Sequence, residues 1–397
     1  MNQEYPLVVS FFEIDNHTEL PIQSFPFKHQ IDKNFFRFFF PIAPSYLHSS
    51  FLCIDSQQQM FCYVKQTDEC TFILTSQYLH WSLFINILLH LIQLPSPQRV
   101  LFLSSLHHLI PLPTLNQLNY PLFSFHSHLP QQINQPSSGC LSSLLCLPIT
   151  QLMMLFSSIL NERRIIIQSN SAQKISEFIV SLLEIFSPLK WQHLLVPFLP
   201  IKYTELTETP TPFIIGVDPS IMEIIDLFDI IVFVDIDKGI IKSTDSTIIK
   251  SDYELIPSKW INSINNTLKP IYSHSETIDD KNIIIKKAFN ELMNCFIKDI
   301  EIRIRSMIET NTEYNVKEFY KDYFFLGEER KFIEMFSKTA AFDQFVLETE
   351  QKYKSEGIKL KRKPSLLSWF NKEELIDVDN ATLITPTKEN QQLFNLL

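Results

Sequence analysis

Apolar positions along the chain change period several times, and each change predicts an element. "PLVVSFFEI" reads as a strand, and "SFLCID" and "MFCYVKQT", joined by a polar turn, read as a hairpin. "TFILTS" follows as another strand, and the apolar run from Tyr78 to Leu94 predicts a core helix that stops before Pro95 and Pro97. That run is too short for a comfortable membrane span and is interrupted by His90. A small sheet followed by a helix is a complete module.

The middle of the chain alternates strand and helix patterns. "RRIIIQ" has strand character, and Ser169 to Ser171 supply helix N-cap residues. Beyond them Ile175, Phe178, Ile179, Leu182, Leu183 and Phe186 fall on a single helical face that Pro188 ends. "WQHLLVPFLP", "TPFIIGV" and "DIIVFVDID" give three more strands, "SIMEIIDLF" a short helix, and Lys238-Gly239 a turn into "IIKS". This order predicts an α/β lobe with a mostly parallel sheet and right-handed crossovers. From about Asp279 the texture becomes charged and helical. Ile285, Phe289, Leu292, Phe296 and Ile300 share one face, and beyond Ser355 the composition is that of a flexible tail.

Between Arg99 and Glu162 there is no Asp, Glu, Lys or Arg. Solvated faces usually carry charge. The segment is therefore expected to lie over the body of the protein, with one helix at Thr150 to Leu160. The other reading is a neutral docking face.

Composition narrows the function. The chain has 397 residues, 45% hydrophobic and 20% charged, which is globular. A formal net charge of −10 argues against nucleic-acid binding. The five glycines form no GxGxxG, GxxxxGK[ST] or GxSxG motif, so a P-loop, a standard dinucleotide site and a nucleophile elbow are all disfavoured. Six cysteines form no CxxC pair, which suits reduced buried thiols. The N-terminus carries no visible signal-peptide pattern.

Several stretches could carry chemistry. Asp235 and Asp237, at the end of "VFVDID", could hold a divalent cation as in metal-dependent glycosyltransferases. The plainer reading is a strand leaving the core, with acids marking its wet end before a glycine turn. His107, His108 and His126 to His128 could bind zinc, but no carboxylate lies nearby in sequence to support them. Glu162, Arg163 and Arg164 set charge directly against Ile165 to Ile167. They suit either a phosphate clamp or a strand edge in which one Arg pairs with Glu162, Asp235 or Asp237. Trp191, Gln192 and His193 open the next strand, a packed indole beside a hydrogen-bonded imidazole. In the tail, Ser365 follows a basic cluster and suits phosphorylation, and "LFNLL" looks like a short adaptor-binding peptide.

The order of these elements resembles the tripartite DENN domain. "ERRIIIQS", an amphipathic helix, "WQHLLVPFLP", "TPTPFIIGV" and "IIVFVDIDKG" look like its central part. The N-terminal hairpin and helix look like the upstream, longin-like part, and "VKEFYKDYFFLGEERKFIEMFSKTAAFDQFVLET" like the downstream part. The resemblance covers most of the chain and is nearest to connecdenn-like members. It implies an upstream longin-like α/β lobe at 1–98, a central α/β lobe at 99–250, a helical downstream part at 279–354 and a tail at 355–397. It also implies a guanine-nucleotide exchange factor for a Rab-family small GTPase. Such a protein acts without covalent chemistry, cofactor or metal. It would be cytoplasmic and recruited to endosomal or other vesicle membranes, with the tail reaching adaptors or a membrane surface. On that resemblance Glu162, Arg163, Arg164, Trp191, Gln192, His193, Pro197, Pro212, Phe213, Gly216, Asp235, Asp237 and Gly239 are a mainly structural signature. A GTPase-binding scaffold without exchange activity is the neighbouring reading. The GTPase contacts are expected first on the charge-free segment and the upstream hairpin.

Overall fold

The computed structural model describes residues 6–26, 48–55, 60–107, 118–119, 132–133, 140–225, 230–273, 276–309 and 327–354. The fold is mixed α/β, with two five-stranded sheets and a helical C-terminal part.

The first sheet is antiparallel, built from β1 (Ser10–Asp15), β2 (Pro21–Phe25), β3 (Ser50–Asp55), β4 (Met60–Gln66) and β5 (Cys70–Ser76) in the order β2-β1-β5-β4-β3. Alternation sends Phe11, Leu52, Tyr63, Phe72 and Leu74 to one face, against α1 (Trp81–Gln93) and α2 (Ser96–His107). Tyr63 anchors that packing. Its ring stacks on Phe84 at 4.7 Å, and its hydroxyl donates to Tyr78 O and accepts from His80 N, both at 2.9 Å. His80 caps α1, and the prolines at 95 and 97 do interrupt the helix. They do not end helical structure, however, because Pro97 lies in the first turn of α2, where its missing N–H has no partner to lose.

The second sheet runs β10-β9-β6-β8-β7, from β6 (Arg164–Gln168), β7 (Leu194–Val196), β8 (Phe213–Val217), β9 (Ile231–Asp235) and β10 (Ile240–Ser243). All pairings are parallel except β9 with β10, the hairpin that Lys238-Gly239 turns. Ile165 and Ile167 face α3 (Ile149–Leu160) and α4 (Ala172–Phe186), while Ile166 faces the opposite side with Phe213, Ile215 and Val217. The apolar triplet is thus a central strand buried on both faces. Gly216 lets α4 approach: a Cβ there would stand 2.3 Å from Ile175 Cγ2 and 2.1 Å from Pro197 O.

The C-terminal helices α5 (Ser246–Glu254), α6 (Ser258–Ser273), α7 (Ile278–Glu309), α8 (Gly327–Phe336) and α9 (Ala340–Lys354) join the same apolar cluster as the second sheet. Ile285, Phe289, Leu292, Phe296 and Ile300 are all buried in it. Trp260, Phe296, Phe332 and Phe336 form a chain of rings at 5.0–5.6 Å. Among the described residues, no helix is long and apolar enough to cross a membrane.

Three details differ from the pattern-based expectation. "SIMEIIDLF" is described only to 225, and its helix is a 3-10 segment, Pro219–Glu223, begun by Pro219 and capped by Asp218. Helix α4 is buried on two sides. Its large residues face the second sheet, while Ala172, Ser176 and Val180 recur every fourth position toward the first. Ser176 Oγ accepts from Leu52 N at 2.9 Å, so α4 closes the β3 edge and seats both lobes on one helix. The upstream hairpin is accordingly covered where it meets α4: Phe51, Leu52 and Cys53 are buried, and Phe51 packs on Phe198 at 5.2 Å.

Candidate functional site

The charged residues singled out in the sequence collect at the two ends of the second sheet. At the amino end, α3 finishes with Glu162 in the left-handed region, φ 51°. Glu162 N donates to Ile159 O and Arg163 N to Ser158 O, both at 3.0 Å, the doubled closure that usually places glycine at this position. A glutamate there costs on the order of 1 kcal/mol in backbone strain. The side chain accounts for it. Its two oxygens accept from Ala340 N at 3.0 Å and Ala341 N at 2.9 Å, the first turn of α9. A carboxylate at a helix N-terminus satisfies orphan donors and meets the positive end of the helix dipole.

His193 Nε2 stands 3.0 Å from the same carboxylate but off the line of a well-directed hydrogen bond. Trp191 packs edge-on against His193 at 5.3 Å and donates its N–H to Leu194 O at 3.2 Å. Gln192 is exposed and donates to Lys190 O.

Arg163 pairs with neither Glu162 nor the strand-end aspartates, as the sequence suggested it might. It makes a two-pronged contact with Asp252 on α5, Nε to Oδ2 at 2.8 Å and Nη2 to Oδ1 at 2.7 Å. The hydrogen bond to Asp252 comes first among the effects raising the Arg163 pKa, so the guanidinium is held charged. The Asp252 side chain is 2% exposed and that of Arg163 32%, so a buried carboxylate is met by a partly exposed guanidinium. Arg164 directs Nη1 toward Thr209 O at 3.5 Å. Pro212 precedes β8, whose first residue, Phe213, is fully buried.

At the carboxyl end, Asp235 accepts from Gln168 Nε2 at 2.7 Å, Lys238 N at 2.9 Å and Lys238 Nζ at 2.8 Å. Asp237 accepts from Ser169 Oγ at 3.0 Å, Asn170 N at 2.8 Å and Lys174 Nζ at 2.8 Å. Burial by itself raises both carboxyl pKa values. The hydrogen bonds and ammonium groups outweigh it and hold both below the ordinary carboxylate value. Gly239, φ 64°, turns the chain where a Cβ would stand 2.4 Å from Cys146 O.

This end is where open α/β sheets bind ligands, and the turn into α4 is where a phosphate would sit on backbone N–H groups. Here Asp237 occupies that turn and Lys174 neutralises it. The oxygens a cation would need are already engaged, so these residues do not fit a divalent-metal site. Among the described residues, no group of three or more His, Cys, Asp or Glu stands together as metal ligands. His107 Nδ1 lies against Val8 O, 3.1 Å away. His108, His126 to His128, Ser365 and the terminal "LFNLL" lie outside the described residues.

The arrangement is an α/β scaffold whose charged residues fasten its own parts together. Residues 47–239 match the family model for the DENN (AEX-3) domain, and the chain carries a DENN domain over that span. Its relatives include DENN domain-containing protein 2B of Mus musculus, 24% identical over 250 residues, 59% of this chain and 21% of the relative. DENN domain-containing protein 1A of Xenopus laevis is 26% identical over 231 residues, 54% of this chain and 22% of the relative. DENN domain-containing protein 1B of Homo sapiens is 27% identical over 123 residues, 30% of this chain and 15% of the relative. The matched part spans less than a quarter of each relative's length.

The partners of Arg163, Arg164 and Glu162 were not legible in the sequence. Asp252 lies 89 residues from Arg163, and Ala340 lies 178 from Glu162. A glutamate one residue past the Asn161 cap of an apolar helix, where glycine is expected, was the available signal.

Proposed function

We propose that this protein is a guanine-nucleotide exchange factor for a Rab-family small GTPase, acting at vesicle membranes. The DENN domain at 47–239 carries the reading. The filled carboxyl end of the second sheet supports it, because the nucleotide then belongs to the partner. On this reading the first sheet with α1 and α2 is the longin-like lobe, and the sheet sharing α4 with it is the central lobe. Helices α7 to α9 belong to the downstream part.

The mechanism uses no nucleophile, base or metal on this chain. An exchange factor binds the nucleotide-free GTPase more tightly than the GDP-bound form, and by linkage it weakens GDP binding by the same factor. A ~10⁴-fold acceleration requires about 5.5 kcal/mol of differential stabilisation of the exchange transition state. An interface of roughly 1,600 Å² supplies that when its contacts favour the open switch regions. The test is release of a fluorescent GDP analogue from a panel of Rab GTPases. Acceleration on one or two members is the expected result. Binding without acceleration would make the chain a scaffold, and neither would remove the reading.

A further inference from the structure

Helix α1 begins inside the molecule. Its cap, His80, is 9% exposed, and its first residue, Trp81, is 3% exposed. Three parts of the chain meet there. The Tyr63 hydroxyl on β4 accepts the His80 backbone N–H at 2.9 Å, and the Trp81 indole N–H donates to Glu177 Oε1 on α4 at 3.1 Å. Further along α4, Glu184 accepts from Lys286 Nζ on α7 at 2.7 Å, with side chains only 11% and 21% exposed. Glu184 and Lys286 are the charges that act on the His80 ring. Tyr63 and Cys140 are the other titratable groups packed beside it, and burial pushes the Tyr63 hydroxyl pKa up, so it stays neutral.

The His80 ring caps α1 through Nδ1, which accepts from Leu83 N at 3.3 Å and so leaves the ring proton on Nε2. Nε2 has no acceptor within the protein. Nδ1 is therefore the one basic site on the ring, and a second proton can be added only where the cap is made. The resulting cation would face the positive end of the α1 dipole. We propose that His80 is an acid-released fastener between the first lobe and the α4–α7 pair. A proton on Nδ1 breaks the α1 cap, the imidazolium competes with Lys286 for Glu184, and the first turn of α1 lifts from α4. Burial outweighs the Glu184 charge and holds the imidazole below its ordinary pKa, 6.5. A base with a depressed folded pKa binds fewer protons folded than unfolded. The fastening is thus intact above 6.5 and is lost as pH falls from there through the folded value.

The release needs no partner, so the full-length chain alone suffices to test it. Amide hydrogen exchange over residues 80–94 is followed from about pH 7.5 to about pH 5.5, with variants compared at the same pH so that intrinsic exchange rates cancel. His80→Asn keeps a capping oxygen and cannot titrate. It should exchange like wild type at the higher pH. At the lower pH wild type should open more than the variant, by up to about tenfold for each pH unit below 6.5. The other histidines are common to both chains. Lys286→Met removes the ammonium that opposes the imidazolium and leaves the cap untouched, so opening should begin at a higher pH than in wild type. A purely structural His80 would move neither response. Equal acid opening in wild type and His80→Asn would overturn the fastener. So would an unmoved onset in Lys286→Met, which decides the matter alone if His80→Asn does not fold.

Discussion

The two ends of the second sheet use the same kinds of residues for different ends. At the amino end Glu162 and Arg163 reach partners 178 and 89 residues away, on α9 and α5. At the carboxyl end Asp235 and Asp237 are held by Lys238, Gln168 and the β6–α4 turn, with both lysines largely exposed. The amino end fastens the C-terminal helices to the sheet. The carboxyl end closes the place where this class of sheet would take a ligand. A charged cluster on an α/β scaffold is therefore not evidence of chemistry until its partners are known.

The comparison predicts unequal sensitivity. Arg163→Ala leaves the Asp252 carboxylate buried without its counter-charge and should lower stability by about 3 kcal/mol, read as a fall in the urea midpoint. An unchanged midpoint would break the claim that this end bears the load. Glu162→Ala should remove about 1–2 kcal/mol, from two N–H acceptors and a favourable dipole contact. Glu162→Gly loses the same contacts but relieves the left-handed backbone, so it should sit about 1 kcal/mol above the alanine variant. Equal stabilities would mean that strain at φ 51° contributes nothing.

At the other end, Asp237→Asn should cost under about 1 kcal/mol near neutral pH, because exposed ion pairs are weak. Its pH dependence is the sharper test. A carboxyl whose folded pKa lies below its unfolded value, 3.8, stabilises the fold above that value and loses the contribution as pH falls through the folded pKa. The Asp235→Asn/Asp237→Asn variant should therefore lose less stability than wild type in acid titration below 3.8. The smallest expected effect is that of manganese, which should leave the wild-type melting temperature unmoved. A rise that the double variant abolishes would reopen the metal reading.

Much of this architecture was legible. The strands of the second sheet, the hairpin through Lys238-Gly239 and the buried face of α7 follow from period and turn chemistry, because each is a local property. The reading failed where tertiary contacts decide. The small residues Ala172, Ser176 and Val180 look unremarkable on a helix already supplied with an apolar face, yet they seat the first lobe. The hairpin reads as two strands and a polar turn, and the cover that α4 gives its β3 edge was not legible, since Ser176 lies 124 residues beyond Leu52. Pro95 and Pro97 read as a stop, yet a second helix begins at Ser96 with Pro97 in its first turn and buries Leu103 and Leu106. For Glu162, Arg163, Asp235 and Asp237, residue type indicated charged clusters but not their purpose, since partners distant in sequence leave no local trace.

The Glu162 contact can form only late in synthesis. Its partners on α9 leave the ribosome 178 residues later, which at roughly 5–20 residues per second is about 10–35 s. Over that interval the Glu162 carboxylate lacks the two N–H groups of α9 that it accepts from in the complete fold. The first sheet is emerging well before then, so the nascent chain can hold one lobe assembled while the other awaits its last helix.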